Sequence, residues 1–449
     1  MSMMTVSRKW MFAPVLLAAL AGGCVTTPNG GPRTTQASRS PQMQQAQALA
    51  VGAAAQAGPA RKAQDEQIDR LLAQLDNATL ARDTAALPQG DPLYNHAGRA
   101  LLLRGLPLPR PFDRSAWKFD AGNRPAADRD GYRPPVRLAV LLPLSGSLAT
   151  AAAPVRDGLL AGYFAETRAK PEVQFYDTAT GVTAAYERAV AEGNDFVIGP
   201  LGRDEVTTVF SRPSLPVPVL ALNRGDVPPP AGNASFSLTP EDEGVAAAEW
   251  LLARKATRVL VVGGEDDSQR RATLALRERL GERGAVVVDV VGSATTDYAS
   301  HAQKGVDGMF LAIRGPAARA VMARFSLAGL TGKPVVATSQ LLSGTGNAAE
   351  DAALDGIAFP AETWSTQGIH GLPSATAAAA LLPSAQGPAA RLFAFGHDAW
   401  QLTAYLERLA SSADGRIQGA TGTLRIDGFG NVQRTPAWST FRGGIVVPL

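Results

Sequence analysis

Cysteine, histidine and runs of one charge are what this 449-residue chain has least of. Its one thiol, Cys24, rules out a disulfide framework within the chain. The four histidines, His96, His301, His370 and His397, form no His-x-x-x-His pair and meet no cysteine cluster, so no metal is expected. With a net charge of +3 and no Lys/Arg run of the kind that follows a phosphate backbone, no nucleic-acid partner is expected either. Catalytic signatures are equally scarce. Gly-x-Ser-x-Gly is absent, Gly344-Thr345-Gly346 is a lone Gly-x-Gly, and the stretch from Gly329 to Pro334 lacks the Lys-Ser/Thr of a phosphate loop. Ser115-Ala116-Trp117-Lys118 fits Ser-x-x-Lys, but neither Ser-Asp-Asn nor Lys-Thr-Gly accompanies it. The sequence therefore predicts no catalysis and no cofactor.

No apolar run is long enough to remain in a bilayer as a permanent helix. Trp10 to Leu20, behind Arg8 and Lys9, reads as the core of an export signal. It stops at Leu20-Ala21-Gly22-Gly23-Cys24, which resembles a bacterial lipobox with Ala where Leu is commoner. Residues 1–23 then form a lipoprotein signal peptide and Cys24 is the lipidation site, anchored by about 0.8 kcal/mol per buried CH₂. Val25 stands where an Asp would mark inner-membrane retention, which points to the periplasmic face of the outer membrane.

What the chain does have is apolar material, 45% hydrophobic against 18% charged residues, enough for one large or two medium cores. Residues 24–60 are Thr, Pro, Gly, Gln, Ser and Ala with hardly an aromatic, and read as a disordered linker behind the lipid anchor. Residues 61–135 read as a helix carrying Ile68, Leu71, Leu72, Leu75 and Leu80, followed by a Pro-rich collar. From Arg137 the pattern changes. Leu138 to Leu142 is an uninterrupted apolar run closed by Pro143 and Gly146, the mark of a buried parallel strand feeding a helix. Similar units recur at Val173–Asp177, Asp195–Ile198 and Val217–Leu222, then at Arg258–Val262, Ala285–Val291, Gly308–Ile313 and Pro334–Thr338. The predicted fold is α/β over residues 136–449: two lobes, each a doubly wound parallel sheet, joined by three hinge strands. Lobe 1 is expected over about 136–238 and 365–412, and lobe 2 over about 239–364 and 419–445.

Such sheets bind ligands at the carboxyl ends of their strands. Ser145, Gly146, Asp177, Gly199, Arg203 and Asn223 are the first lobe's candidates for an inter-lobe cleft, with Glu265, Asp266, Arg314 and Ser339 in the second.

The order Leu-Leu-Pro-Leu-Ser-Gly, Phe175-Tyr176-Asp177, Gly199-Pro200-Leu201, Ala221-Leu222-Asn223, Gly396-His397-Asp398-Ala399-Trp400 and Ala420-Thr421-Gly422-Thr423-Leu424 resembles the penicillin-binding-protein activator lipoproteins, called LppC or LpoA-like. The resemblance covers about Arg137 to Gly443 and implies the type I periplasmic-binding-protein fold. It also implies an outer-membrane lipoprotein that stimulates a class A penicillin-binding protein. Well-known members carry a large N-terminal helical-repeat domain, of which residues 26–135 show no period. Amino-acid receptors of this fold hold the ligand's carboxylate on hydroxyls and N–H groups after strand three, and its ammonium on an acid of the second lobe. Here those loops read Gly199-Pro200-Leu201-Gly202-Arg203 and Thr338-Ser339-Gln340, without an acid, so that pincer is expected to be missing. The alternative function is a lipid-anchored solute receptor for a transporter or sensor.

Overall fold

The computed structural model describes residues 39–53, 56, 58–113 and 124–449, so Cys24, the signal segment and the Ser115–Lys118 match lie outside the described residues. The disorder expected over 24–60 is overturned at Pro41–Ala53 and at Gly58–Ala60, which are helical. Helices α1 (Pro41–Ala53), α2 (Gly58–Ala73), α3 (Asn77–Ala85) and α4 (Tyr94–Leu103) pack into a module around Met43, Ala46, Ile68, Leu72, Leu80, Tyr94 and Leu101. The reason is the stripe α1 buries: Met43, Ala46, Ala50 and Ala53 recur every three or four positions. Alanine is the best helix former, yet it carries too little apolar area to register as a hydrophobic pattern. Likewise, α2 to α4 replace the single helix and much of the extended collar expected over 61–135.

Lobe 1 begins with β1 (Arg137–Leu142). Alternation along the strand sends Leu138, Val140 and Leu142 into one core and Ala139 and Leu141 into another, so both faces need cover. The chain continues through α5 (Ala149–Ala165), β2 (Glu172–Asp177), α6 (Val182–Ala191), β3 (Phe196–Ile198), α7 (Arg203–Phe210), β4 (Val219–Ala221) and β5 (Ala234–Ser235). The sheet is parallel throughout, in the order β2-β1-β3-β4-β5.

Lobe 2 follows with α8 (Pro240–Ala253), β6 (Arg258–Gly263), α9 (Asp267–Glu282), β7 (Val286–Gly292), α10 (Ala299–Gln303), β8 (Gly308–Ala312), α11 (Gly315–Leu327), β9 (Val335–Ala337), α12 (Ala348–Asp351) and β10 (Ala358–Ala361). β10 extends the lobe 2 sheet beside β9, with Phe359 fully buried in that core. The return comes next, through α13 (Thr363–Gln367), α14 (Ala375–Leu381) and the long α15 (Ala389–Ser411).

α15 roofs the Leu138 face of lobe 1 together with α5. The two helices cross at paired glycines: a Cβ on Gly158 would lie 1.8 Å from the Phe393 carbonyl oxygen, and one on Gly396 would lie 1.9 Å from that of Val155. Asp398 of α15 is fully buried and accepts hydrogen bonds from the Ala420 and Thr421 amides and the Thr421 hydroxyl, at 2.6 Å for the last. That carboxylate pins the turn between β11 (Ile417–Gln418) and β12 (Thr423–Ile426), which pairs with β13 (Val432–Thr435). This hairpin corrects the lobe boundary. Leu424, Ile426 and Val432 enter the lobe 1 core and Asn431 bridges Ser235, so only β14 (Ala437–Arg442) and β15 (Ile445–Pro448) belong to lobe 2. They run antiparallel at the end of a sheet ordered β15-β14-β10-β9-β8-β6-β7. The chain thus crosses between lobes three times, after β5, after β10 and after β13.

The helical module touches both lobes. Arg283, just past α9, donates to the carbonyls of Ala73 and Leu75 at 3.1 and 2.9 Å. On the lobe 1 side, Phe429 at the β12–β13 turn packs edge-on against His96 at 4.7 Å, with the Arg99 guanidinium 4.6 Å over its ring. Arg99 in turn donates to Asp69 at 2.6 Å. Burial raises the Asp69 pKa, but Arg99 and His96 outweigh it and hold the carboxyl at about 2, against an ordinary 3.8.

Two outcomes follow. Gly396→Ala should cost about 3 kcal/mol in urea unfolding, because the obstruction is backbone and cannot swing aside. The depressed Asp69 pKa stabilises the fold above pH 3.8, and that contribution disappears as the pH falls toward 2. The stabilities of wild type and Asp69→Asn should therefore converge across that window and stay apart above it.

Candidate functional site

Most of the polar residues expected in the cleft are occupied locally. Ser145 donates to Asp177 at 2.6 Å, and Asp177 also accepts from the amides of Leu144 and Ala179 at 2.9 and 3.0 Å. These bonds, the Ser145 hydroxyl first, keep the Asp177 carboxyl below its usual range. Gly146 turns the exposed loop between them with φ +75°. Gly199 is a close-approach residue, since a Cβ there would lie 2.1 Å from the Leu141 carbonyl oxygen. Arg203 is exposed and pairs with Asp226 at 3.2 Å. Asn223 donates to the Leu201 carbonyl at 3.0 Å and accepts from the Arg224 amide at 2.9 Å, which closes its own loop. In lobe 2, Glu265 is exposed, Asp266 caps α9 through the Gln269 amide at 2.8 Å, and Arg314 lies exposed 3.7 Å from Asp266.

Ser339 stands apart. It follows β9 at the carboxyl end of the lobe 2 sheet, and both its amide and its hydroxyl donate to the Glu243 carboxylate at 2.9 Å. Glu243 lies in the first turn of α8. The same carboxylate meets the guanidinium of Arg391, which comes from the start of α15 in lobe 1. Arg391 also contacts the Ser339 hydroxyl and lies 3.3 Å from Glu362 at the second crossing. Burial opposes charge on Glu243, but Arg391, Arg434 and the Ser339 donors outweigh it and hold the carboxyl below its ordinary value. Burial opposes charge on Arg391 too, and Glu243 and Glu362 keep it firmly protonated. Beside the first crossing, Arg224 adds a second pair between the lobes, with Asp242 at 2.8 Å.

A cavity of about 210 Å³ adjoins the cluster, lined by Leu238, Gln269, Thr338, Ser339, Arg391 and Leu392. Gln269 and Gln340 close one side through a 2.7 Å hydrogen bond. An acid therefore does stand at the Thr338-Ser339-Gln340 turn, contrary to the expectation from the loop alone: α8 supplies it, and it is already paired. Glu243 reads in the sequence as one of three acids suiting a helix start, and Arg391 as one polar residue of a helix buried nearly all round. Neither carries a local signal of its partner. Among the described residues no group of His, Cys, Asp or Glu is placed to hold a metal ion. His397 is buried, 3.6 Å from Asp398. The arrangement can hold the lobes together through neutralised charge.

Truncation separates the two kinds of arginine. Arg203→Ala should change stability by no more than about 0.5 kcal/mol, as both members of its pair are solvated. Arg391→Ala should cost about 3 kcal/mol by leaving two carboxylates without their cation, read as urea midpoints.

Comparison with known proteins agrees with this architecture. A family model described as "LppC putative lipoprotein" matches residues 132–291 and 285–444. A protein of Photobacterium profundum called penicillin-binding protein activator LpoA is 27% identical over 352 residues, covering 69% of this chain and 56% of its own length. The chain thus spans about half the length of the curated relatives it matches. Among solved structures, the LpoA (YraM) C-domain from Haemophilus influenzae, described as a regulator of PBP1A, superposes with a TM-score of 0.60. It is 21% identical, over 70% of this chain and 99% of that one. A Chromobacterium violaceum protein described as a "putative branched-chain amino acid ABC transporter" gives a TM-score of 0.56 at 29% identity, over 68% of this chain and all of that one. These likenesses place residues 136–449 in the type I periplasmic-binding-protein fold. With the family model matched along both lobes, the chain belongs to the LppC lipoprotein family.

Proposed function

We propose that this chain is a non-catalytic lipoprotein regulator that binds a class A penicillin-binding protein and raises its peptidoglycan-synthesising activity. In this reading Cys24 carries the lipid, the anchor lies in the periplasmic face of the outer membrane, and the residues up to Ser40 tether the folded part. The observation that carries the proposal is the state of the cleft. The polar groups at its mouth are engaged with one another, Glu243 with Ser339 and Arg391, and Arg391 with Glu362 as an ion pair. A surface that recognises a protein needs no open cleft, whereas a receptor that closes on a solute needs free donors and acceptors there. The names borne by the relatives, activator and regulator of PBP1A, point the same way.

The likeness to the Chromobacterium violaceum protein favours the second reading, a solute receptor. One pair of measurements separates them. A soluble form beginning at Ser40 should bind a class A synthase from its own cell and increase glycan polymerisation or crosslinking; the absence of both at concentrations well above micromolar would end the regulator reading. Branched-chain and other amino acids should leave its melting temperature unchanged, where a true ligand at a hundredfold excess over Kd would add about 2.7 kcal/mol.

A further inference from the structure

A backbone amide, a hydroxyl and a guanidinium aimed at one point make a site for a carboxylate. Ser339 supplies the first two and Arg391 the third, and the group they hold is the side chain of Glu243. We propose that this is a carboxylate-binding site occupied by the chain's own Glu243, a tethered ligand that latches lobe 2 onto lobe 1. The donors come from both lobes, as they would around a ligand enclosed between them: Ser339 follows β9 and Arg391 opens α15. Glu243 is only 4% exposed, so the site is closed to water as a ligand site is.

Charge identifies the ligand class. Arg391 pairs with Glu243 and lies 3.3 Å from Glu362, while the Ser339 amide and hydroxyl both donate to Glu243. Removing Glu243 leaves those two donors without their acceptor and takes one of its two contacting carboxylates from the guanidinium, in a pocket closed to water, which then favours an anion that restores both. Shape narrows the class further. Truncating Glu243 to alanine deletes one methylene and one carboxylate, the atoms of acetate. The cavity of about 210 Å³ beside the cluster provides room for entry. It is lined by Thr338, whose buried hydroxyl has no hydrogen-bond partner among the described residues. The site is thus built for a small monocarboxylate or the carboxylate end of a larger molecule, and Glu243 keeps such molecules out.

The test is chemical rescue in the whole chain, read by thermal unfolding at pH 7. Glu243→Ala should melt well below the wild type, and sodium acetate should restore at least half of the loss in a saturable way, while sodium chloride of equal ionic strength does not. Wild type and Glu243→Gln, whose sites are filled, should show no acetate-specific shift, and Glu243→Ala/Arg391→Met, which lacks the cation, should show none either. A Glu243→Ala chain that folds only when acetate is present counts as the same rescue. Equal responses to acetate and chloride, an acetate shift that survives Arg391→Met, or a Glu243→Ala chain that folds in neither salt while the double variant folds would each overturn the proposal. No synthase enters the measurement, so its outcome is independent of the regulator reading.

Discussion

Water reaches neither side of β1, and a strand closed to water on both faces must be roofed twice. One roof is local, since α6 and α7 lie within the same run of β–α units. The other is not. α5 covers part of the Leu138 face, and the rest waits for α15, which the chain reaches only after building the whole parallel part of lobe 2. The recrossing, the three hinge passages and the position of the ion cluster at the start of α15 all descend from that requirement. So does the glycine pair: two helices sharing one face of a five-stranded sheet must lie close, and Gly158 and Gly396 allow their backbones to touch.

Both lobes were legible for the same reason. A run such as Leu138–Leu142 or Val259–Val262 can be buried in only a few ways, and the helical stretches between such runs leave a parallel, doubly wound sheet as the natural packing. The motifs that carried the family resemblance mark backbone constraints: Gly199 must pass the Leu141 carbonyl, and the Ala420-Thr421 turn must present two amides to Asp398. What stayed hidden has a physical pattern as well. The alanine stripe of α1 packs by shape and helix propensity, with little hydrophobic contrast to reveal it. The β12–β13 hairpin was placed in the wrong lobe because its partner, Ser235, is distant in sequence. Glu241, Asp242 and Glu243 look alike on paper, and only the helix phase turns the third toward Ser339.

Placed together, these features describe a receptor-like frame whose receptor chemistry is turned inward. The lobes meet through charges the protein owns, Arg391 with Glu243 and Glu362, and Arg224 with Asp242. An ion cluster of this kind adds little net stability over an apolar contact, but it strongly penalises any arrangement that separates its members. That property suits the proposed role, in which the protein presents a fixed surface to a partner.

The helical module gives this rigidity a direction. It grips lobe 2 through Arg283 on the carbonyls of Ala73 and Leu75, and lobe 1 through Phe429 held between His96 and Arg99. Near the start of the described residues, the Ser40 amide is bonded to Asp83 of α3. A pull applied at that end has two parallel routes into the body, one to each lobe, and neither runs through the hinge strands. The molecule therefore carries tension as a braced frame does, so that a pull at the module shifts both lobes as one piece.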